Sequence, residues 1–95
     1  MVQVRVRMLG TLRDAAADSE DLALEGEVDV SGIVRRLVEE HGERLAGLLL
    51  DSVLLNPLPN ALILLNGVEI NNLEGLRTAV RDGDLLTIIP IVHGG

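Results

Sequence analysis

The chain has no cysteine, no aromatic residue and no lysine. Without cysteine, disulfides, thiolate metal sites and a cysteine nucleophile are excluded, a composition that fits the reducing cytoplasm. Without Phe, Tyr or Trp the core has to be aliphatic, and stacking on exposed nucleobases is excluded. Without lysine, every basic residue is an arginine (Arg5, Arg7, Arg13, Arg35, Arg36, Arg44, Arg77, Arg81), so no internal amine can accept an isopeptide bond. No apolar run approaches the about 20 residues that a membrane span requires. No signal peptide is visible either, since Val2-Gln3-Val4-Arg5 already reads as a strand.

What is present describes one globular unit. Ninety-five residues, 47% of them hydrophobic, suffice for a single modest core but not for a core plus a deep catalytic cleft. The net charge of −7 would repel a nucleic-acid backbone and suits a basic protein partner.

Periodicity supplies the order of elements. Val2, Val4, Val6 and Met8 alternate with Gln3, Arg5 and Arg7, the pattern of a strand buried on one face, and Gly10 ends it. Residues 11–18 form a connection with helical character, and 21–25 alternate again as a second strand. Asp29 or Ser31 then caps a helix whose Val30, Ile33, Val34, Leu37 and Val38 make one buried stripe, closed by His41-Gly42. A short helix follows over 43–50, then a loop at Asn56-Pro57-Leu58-Pro59-Asn60. Residues 61–65, Asn66-Gly67 and 68–70 spell a hairpin with a type I′ turn. Residues 73–80 are a compact connection, Asp82-Gly83-Asp84 is a turn, and 85–92 form the last strand. Pro90 would interrupt a ladder, so pairing is expected to weaken there and the tail to peel away. The economical packing is α+β: a mixed four- to five-stranded sheet on one main helix plus a short helix. The expected division is a domain over 1–92 and a flexible tail over 93–95.

No catalytic constellation stands out. Ser19, Ser31 and Ser52 have no elbow motif, and the glycines form no phosphate loop. His41 reads as a helix-end residue, and neither it nor His93 has a cysteine or third histidine with which to complete a metal site. The pairs Glu39-Glu40 and Asp82/Asp84 read as a solvated helix face and a turn. No metal and no cofactor is therefore expected. The remaining feature is the end itself, His93-Gly94-Gly95 after a hydrophobic strand. Gly-Gly leaves the last carboxylate on a tail without side chains, able to enter a narrow slot in another protein. With this glycine content such a pair arises by chance in roughly one chain per hundred, rare enough to pursue.

Leu12-Arg13-Asp14, Leu62-Ile63-Leu64-Leu65-Asn66-Gly67 and above all the segment from Asp82-Gly83-Asp84 through Pro90 to Gly94-Gly95 carry a resemblance. With this element order, the chain resembles the β-grasp fold of ubiquitin-like proteins. Within it, the chain resembles the sulfur-carrier branch: the small subunit of molybdopterin synthase (MoaD) and the thiamin-pathway carrier (ThiS). It departs from that branch at Ile91, where a second proline is usual, at Ile89, where an aromatic is common, and at His93 in the variable position. The His-Gly-Gly ending is also similar to ubiquitin-related and small archaeal modifiers.

The resemblance implies a non-catalytic protein whose Gly95 is adenylated by an ATP-dependent activating enzyme (MoeB/ThiF-like). The adenylate becomes a thiocarboxylate for molybdopterin, thiazole or tRNA thiolation, or Gly95 is joined to lysines of target proteins. A plain interaction domain with an idle tail is the third alternative. His93 and Gly94 would thread the partner's channel, and the large subunit of molybdopterin synthase is a further implied partner. With the first strand beside the last, Arg5 and Arg7 would share the open sheet face with Leu85, Thr87 and Ile89. That makes an apolar patch rimmed by arginine, suited to docking unless residues 43–55 cover it.

Overall fold

The computed structural model describes residues 1–51 and 56–91. Its elements run in the order β1 (Val2–Met8), α1 (Leu12–Ala15), β2 (Ser19–Leu24), β3 (Val28–Asp29), α2 (Val30–His41), α3 (Glu43–Leu49), β4 (Ala61–Leu65), β5 (Val68–Glu69), β6 (Ala79–Val80) and β7 (Leu85–Pro90). Two short 3₁₀ turns, Ile70–Asn72 and Gly75–Arg77, lie between β5 and β6. Five strands form a mixed sheet in the order β2-β1-β7-β4-β5, and β3 with β6 makes a separate two-stranded ribbon. β1 is antiparallel to β2 and parallel to β7, whose other neighbour β4 is antiparallel. This is a β-grasp architecture, with three helices among the described residues where a main and a short helix were expected.

The alternation in β1 does what its period dictates. Val4, Val6 and Met8 are buried and Arg5 and Arg7 exposed. The register carries the same face across the sheet: Ile88 stands between Met8 and Ile63, and Leu86 between Val6 and Leu65. Against this face α2 lays Val30, Ile33, Val34 and Leu37, all buried. Each fully buried Leu or Ile contributes about 1.5–3 kcal/mol over leaving it in water. With no aromatic available, the core of the described residues is aliphatic: Leu, Ile and Val with Met8 and Ala61.

Caps fix the start and the end of α2. Asp29 is its N-cap, accepting from the Gly32 N–H at 2.8 Å and from the Ser31 hydroxyl at 2.7 Å. Ser31 thus serves the cap rather than forming it. At the other end Gly42 has φ +78° and donates its N–H to the Val38 carbonyl at 2.8 Å. The Asn66-Gly67 hairpin has φ of +50° and +83°, the positive pair a type I′ turn requires.

Pro90 behaves differently from the expectation. It is the last residue of β7 and pairs with Ala61, and the Ile91 N–H still donates to the Asn60 carbonyl at 2.9 Å. Odd-numbered residues of β7 bond toward β4, whereas even-numbered ones bond toward β1, as in Leu9 N–H to the Ile88 carbonyl at 3.1 Å. The N–H that Pro90 lacks would point past the end of β1, where Gly10 has already turned the chain. The ladder to β4 therefore loses nothing at Pro90.

Candidate functional site

The site the sequence pointed to has two parts, the tail and the outer sheet face. His93, Gly94 and Gly95 lie outside the described residues, so the described part of the tail is its exit. β7 leaves the sheet between the end of β1 and the start of β4. A Cβ built on Gly10 would stand 2.8 Å from Pro90 Cγ, so the Pro90 ring occupies the space that a side chain at residue 10 would need. Gly10 also has φ +57°, a conformation that costs an L side chain about 1–2 kcal/mol. Ile91, beyond the ring, is 43% exposed.

The outer face brings together all five residues expected there. Arg5 pairs with Leu85 and Arg7 with Thr87, and Ile89 lies two residues further along the same side of β7. Leu85, Thr87 and Ile89 are half-buried, whereas Leu86 and Ile88 between them are fully buried. The described part of the 43–55 stretch does not cover this face, because α3 buries Leu45 and Leu49 in the core and packs on α1 and α2.

The two arginines are not equivalent. Arg5 reaches across to Asp21 on β2, Nε donating to Oδ1 at 3.0 Å and a terminal nitrogen to Oδ2 at 3.4 Å. That hydrogen bond, and then the guanidinium charge, hold the Asp21 carboxyl below its ordinary range. Both side chains are well exposed, so the pair adds little to stability. Arg7 has no ion-pair partner among the described residues and stands exposed beside Thr87.

Sequence reasoning missed the part of the apolar patch that β4 supplies. Leu62 pairs with Ile89 and Leu64 with Thr87, so these two leucines of β4 share the outer face, while Leu65 lies on the buried one. One row runs Ser19, Arg7, Thr87, Leu64, Glu69 across the sheet, with about 4.8 Å between strands. Leu62 is 36% exposed. Leu62, Ile89 and Ile91 thus form a strip that ends at the tail exit, with Arg7 on its β1 flank. Ala61 to Leu65 is apolar throughout, so no alternation marked which side faced out; its pairing with β7 does.

The Asp-Gly-Asp motif sits at the other end of β7 and holds the fold. Asp82 accepts from the Gln3 N–H at 2.8 Å, and Asp84 from the Arg81 N–H at 2.8 Å and from Asn66 Nδ2 at 2.9 Å. Asn66 Oδ1 in turn accepts from the Leu85 N–H at 2.9 Å, and Gly83 sits at φ +89°. These bonds lock the starts of β1 and β7 to the β4–β5 turn, which fixes the register on which the outer face depends.

No helix among the described residues is long and apolar enough to cross a membrane. The model of the ThiS family matches residues 6–95. Small archaeal modifier protein 3 of Haloferax volcanii is 30% identical over 95 residues, 99% of this chain and 100% of its own length. The solution structure of small archaeal modifier protein 1 from Methanosarcina acetivorans superposes with a TM-score of 0.83 at 29% identity, over 100% of this chain and 98% of that one. The CysO-containing BexX/CysO complex of Amycolatopsis orientalis gives a TM-score of 0.71 at 26% identity, over 97% and 99% of the two chains. The match spans the β-grasp domain and runs on through the diglycine, and on that extent the chain belongs to the ThiS family of ubiquitin-like proteins.

Proposed function

We propose that this protein is a sulfur carrier, MoaD-like in its chemistry, acting through the carboxylate of Gly95. The observation that carries the reading is the family match over residues 6–95, a range that takes in the Asp-Gly-Asp segment, Pro90 and the diglycine. A carboxylate is a poor electrophile. An ATP-dependent activating enzyme would let a Gly95 oxygen attack the α-phosphate, releasing pyrophosphate and leaving an acyl-adenylate. Sulfide-level sulfur, as hydrosulfide, then attacks the acyl carbon and expels AMP, leaving the thiocarboxylate, which serves molybdopterin synthesis or a related sulfur transfer. The partner supplies acid, base and metal groups; this chain supplies the handle and the docking face. That division agrees with a non-catalytic protein of the cytoplasm, with a domain over 1–92 and a tail over 93–95.

Docking falls to the outer sheet face: Leu85, Thr87 and Ile89 with Leu62 and Leu64, flanked by Arg5 and Arg7. An apolar centre with a charged edge is the usual anatomy of a protein interface. Its Leu62–Ile89–Ile91 strip leads to the tail exit, so a protein seated there would have the Gly95 end within reach.

A second reading, a modifier joined through Gly95 to lysines of other proteins, is favoured by the 30% identity to a small archaeal modifier. A lysine-free chain suits it, because internal self-linkage is chemically blocked. Both readings share the adenylation step. Incubation with the host's activating enzyme, ATP and a sulfur source, followed by intact mass, separates them. An oxygen-to-sulfur mass change supports the carrier, and adducts on target lysines in host lysate support the modifier. If neither forms, and deleting Gly95 changes nothing in the host, both readings fail and the domain is a plain interaction module.

A further inference from the structure

No metal was expected because His41 has no cysteine or third histidine to join it; Glu20 lies 21 positions away in sequence. The fold joins them. Glu20 stands opposite Val6 in the β1–β2 register, on the face that also carries Val4 and Leu22. Its carboxylate therefore points into the helix layer instead of outward like Asp21, and a carboxylate leaving water needs a partner. His41, the last residue of α2, is that partner: its Nε2 lies 2.9 Å from Oε1 and 3.0 Å from Oε2. The two side chains are only 21% and 19% exposed. Glu40 brings a second carboxylate, and one ligand atom from each of Glu20, Glu40 and His41 falls within 4.8 Å of the others. Arg36 Nε donates to Oε1 of the exposed Glu40 at 2.9 Å, which leaves that carboxylate its second oxygen.

We propose that Glu20, Glu40 and His41 form a binding site for a divalent ion of the zinc class. One imidazole and two carboxylates are a donor set that zinc accepts, with water completing the shell. Tetrahedral ligands with bonds of about 2.0–2.2 Å stand roughly 3.3–3.6 Å apart; His41 and Glu20, now hydrogen-bonded at 2.9–3.0 Å, would open slightly, and Glu40 already offers a ligand atom within 4.8 Å of both. The imidazole would bind through its Nε2 lone pair, with its proton on Nδ1. The position also favours a cation electrostatically, because the C-terminal end of a 12-residue helix adds its negative pole to the two carboxylates. Binding ties β2, an edge strand bonded to β1 alone, to the end of α2. The competing role is a plain ion pair, an inward charge of the kind that guards sheet edges against pairing.

Calorimetric titration of the intact protein with zinc chloride, and with magnesium chloride as the hard-ion control, decides between them. A single saturable zinc site is expected, with no comparable magnesium binding and a Tm that rises with zinc. His41→Gln and Glu20→Gln should each weaken binding by more than about tenfold, whereas His93→Gln should leave the isotherm unchanged. A readout on the unaltered protein guards against misfolded variants. The chain has two histidines, so a long-range proton–nitrogen imidazole spectrum resolves them, and zinc should move the Nε2 resonance of His41. No saturable zinc binding, binding that survives His41→Gln, or a shift confined to His93 each overturns the proposal.

Discussion

The two faces of β7 are built from the same residue types and put to opposite uses. Leu86 and Ile88 are wholly buried against α2, while Leu85 and Ile89, one residue away from each, stay half-open beside Thr87. Hydrophobicity alone does not distinguish them, since Leu-Leu-Thr-Ile-Ile is apolar on both sides. The strands and helices around them do: one side has a helix layer, and the other has no cover among the described residues. An apolar residue on the covered side contributes to folding, and one on the open side is available to a partner. Substitutions on the two sides should therefore separate stability from docking.

The largest effect belongs to the covered side. Ile88 sits between Met8 and Ile63 with no exposed surface, so Ile88→Ala leaves a cavity that aliphatic neighbours fill only in part. It should cost about 2–5 kcal/mol in a urea melt. A loss below about 1 kcal/mol would mean that the inner layer is looser than the register implies.

Next is the exit of the strand. Gly10→Ala forces a side chain into a positive-φ position and against the Pro90 ring. The expected destabilisation is about 1–3 kcal/mol. Gly26, also at positive φ but with nothing within 4 Å of an added Cβ, is the control for the Pro90 contact. Equal losses in Gly10→Ala and Gly26→Ala would show that the ring carries no part of the effect.

A smaller effect tests the covering layer from the helix side. The Ser31 hydroxyl chiefly, and the Gly32 N–H with it, hold the Asp29 carboxyl below its ordinary pKa, against an opposing effect of burial. A depressed folded pKa means that the charged cap stabilises fully above the unfolded value of about 3.9 and is lost as pH falls through the folded one. Asp29→Ala should cost about 1 kcal/mol at neutral pH. Asp29→Asn should keep most of the cap yet flatten the acid limb of a Tm-against-pH curve. An unchanged acid limb in that variant would assign the pH dependence to other carboxylates.

Much of this arrangement was legible in the chain. The alternation of β1, the stripe of α2, the Asn66-Gly67 turn and the glycine after His41 each follow from a local period or a local backbone requirement, and form as expected except that Val38, at the edge of the stripe, is only half-buried. The five residues assigned to the open face also share it, because parity along β1 and β7 is enough to place them. What was hidden has a common cause. β3 and β6 are two residues long, too short to show a period, and Leu62 and Leu64 lie in a run with no polar residue to mark a side. The placement of Pro90 depended on which strand its missing N–H would have faced, and the meeting of Glu20 with His41 on the register of β2. Both are facts of tertiary pairing, absent from any window of sequence. The tail, the clearest functional signal in the sequence, lies outside the described residues.

The smallest change in stability should accompany the largest change in docking. Leu62→Ser and Ile89→Ser alter side chains on the uncovered face, where the lost contacts are few, so each should shift stability by less than about 1 kcal/mol. If this face seats the activating enzyme, each variant removes an apolar anchor from the centre of an interface, where single truncations commonly cost more than 1 kcal/mol. Affinity for that enzyme, measured by calorimetry with ATP withheld, should then fall about tenfold, since 1.4 kcal/mol corresponds to that factor. Arg7→Ala, on the flank of the strip, should act mainly on the association rate and lose its effect as salt rises, because screening shortens the reach of an exposed charge. Affinity unchanged in both serine variants, with folding intact, would move the docking surface elsewhere. The open side of β7 would then be a surface tolerated for its small size, and only the tail would tie this domain to its partners.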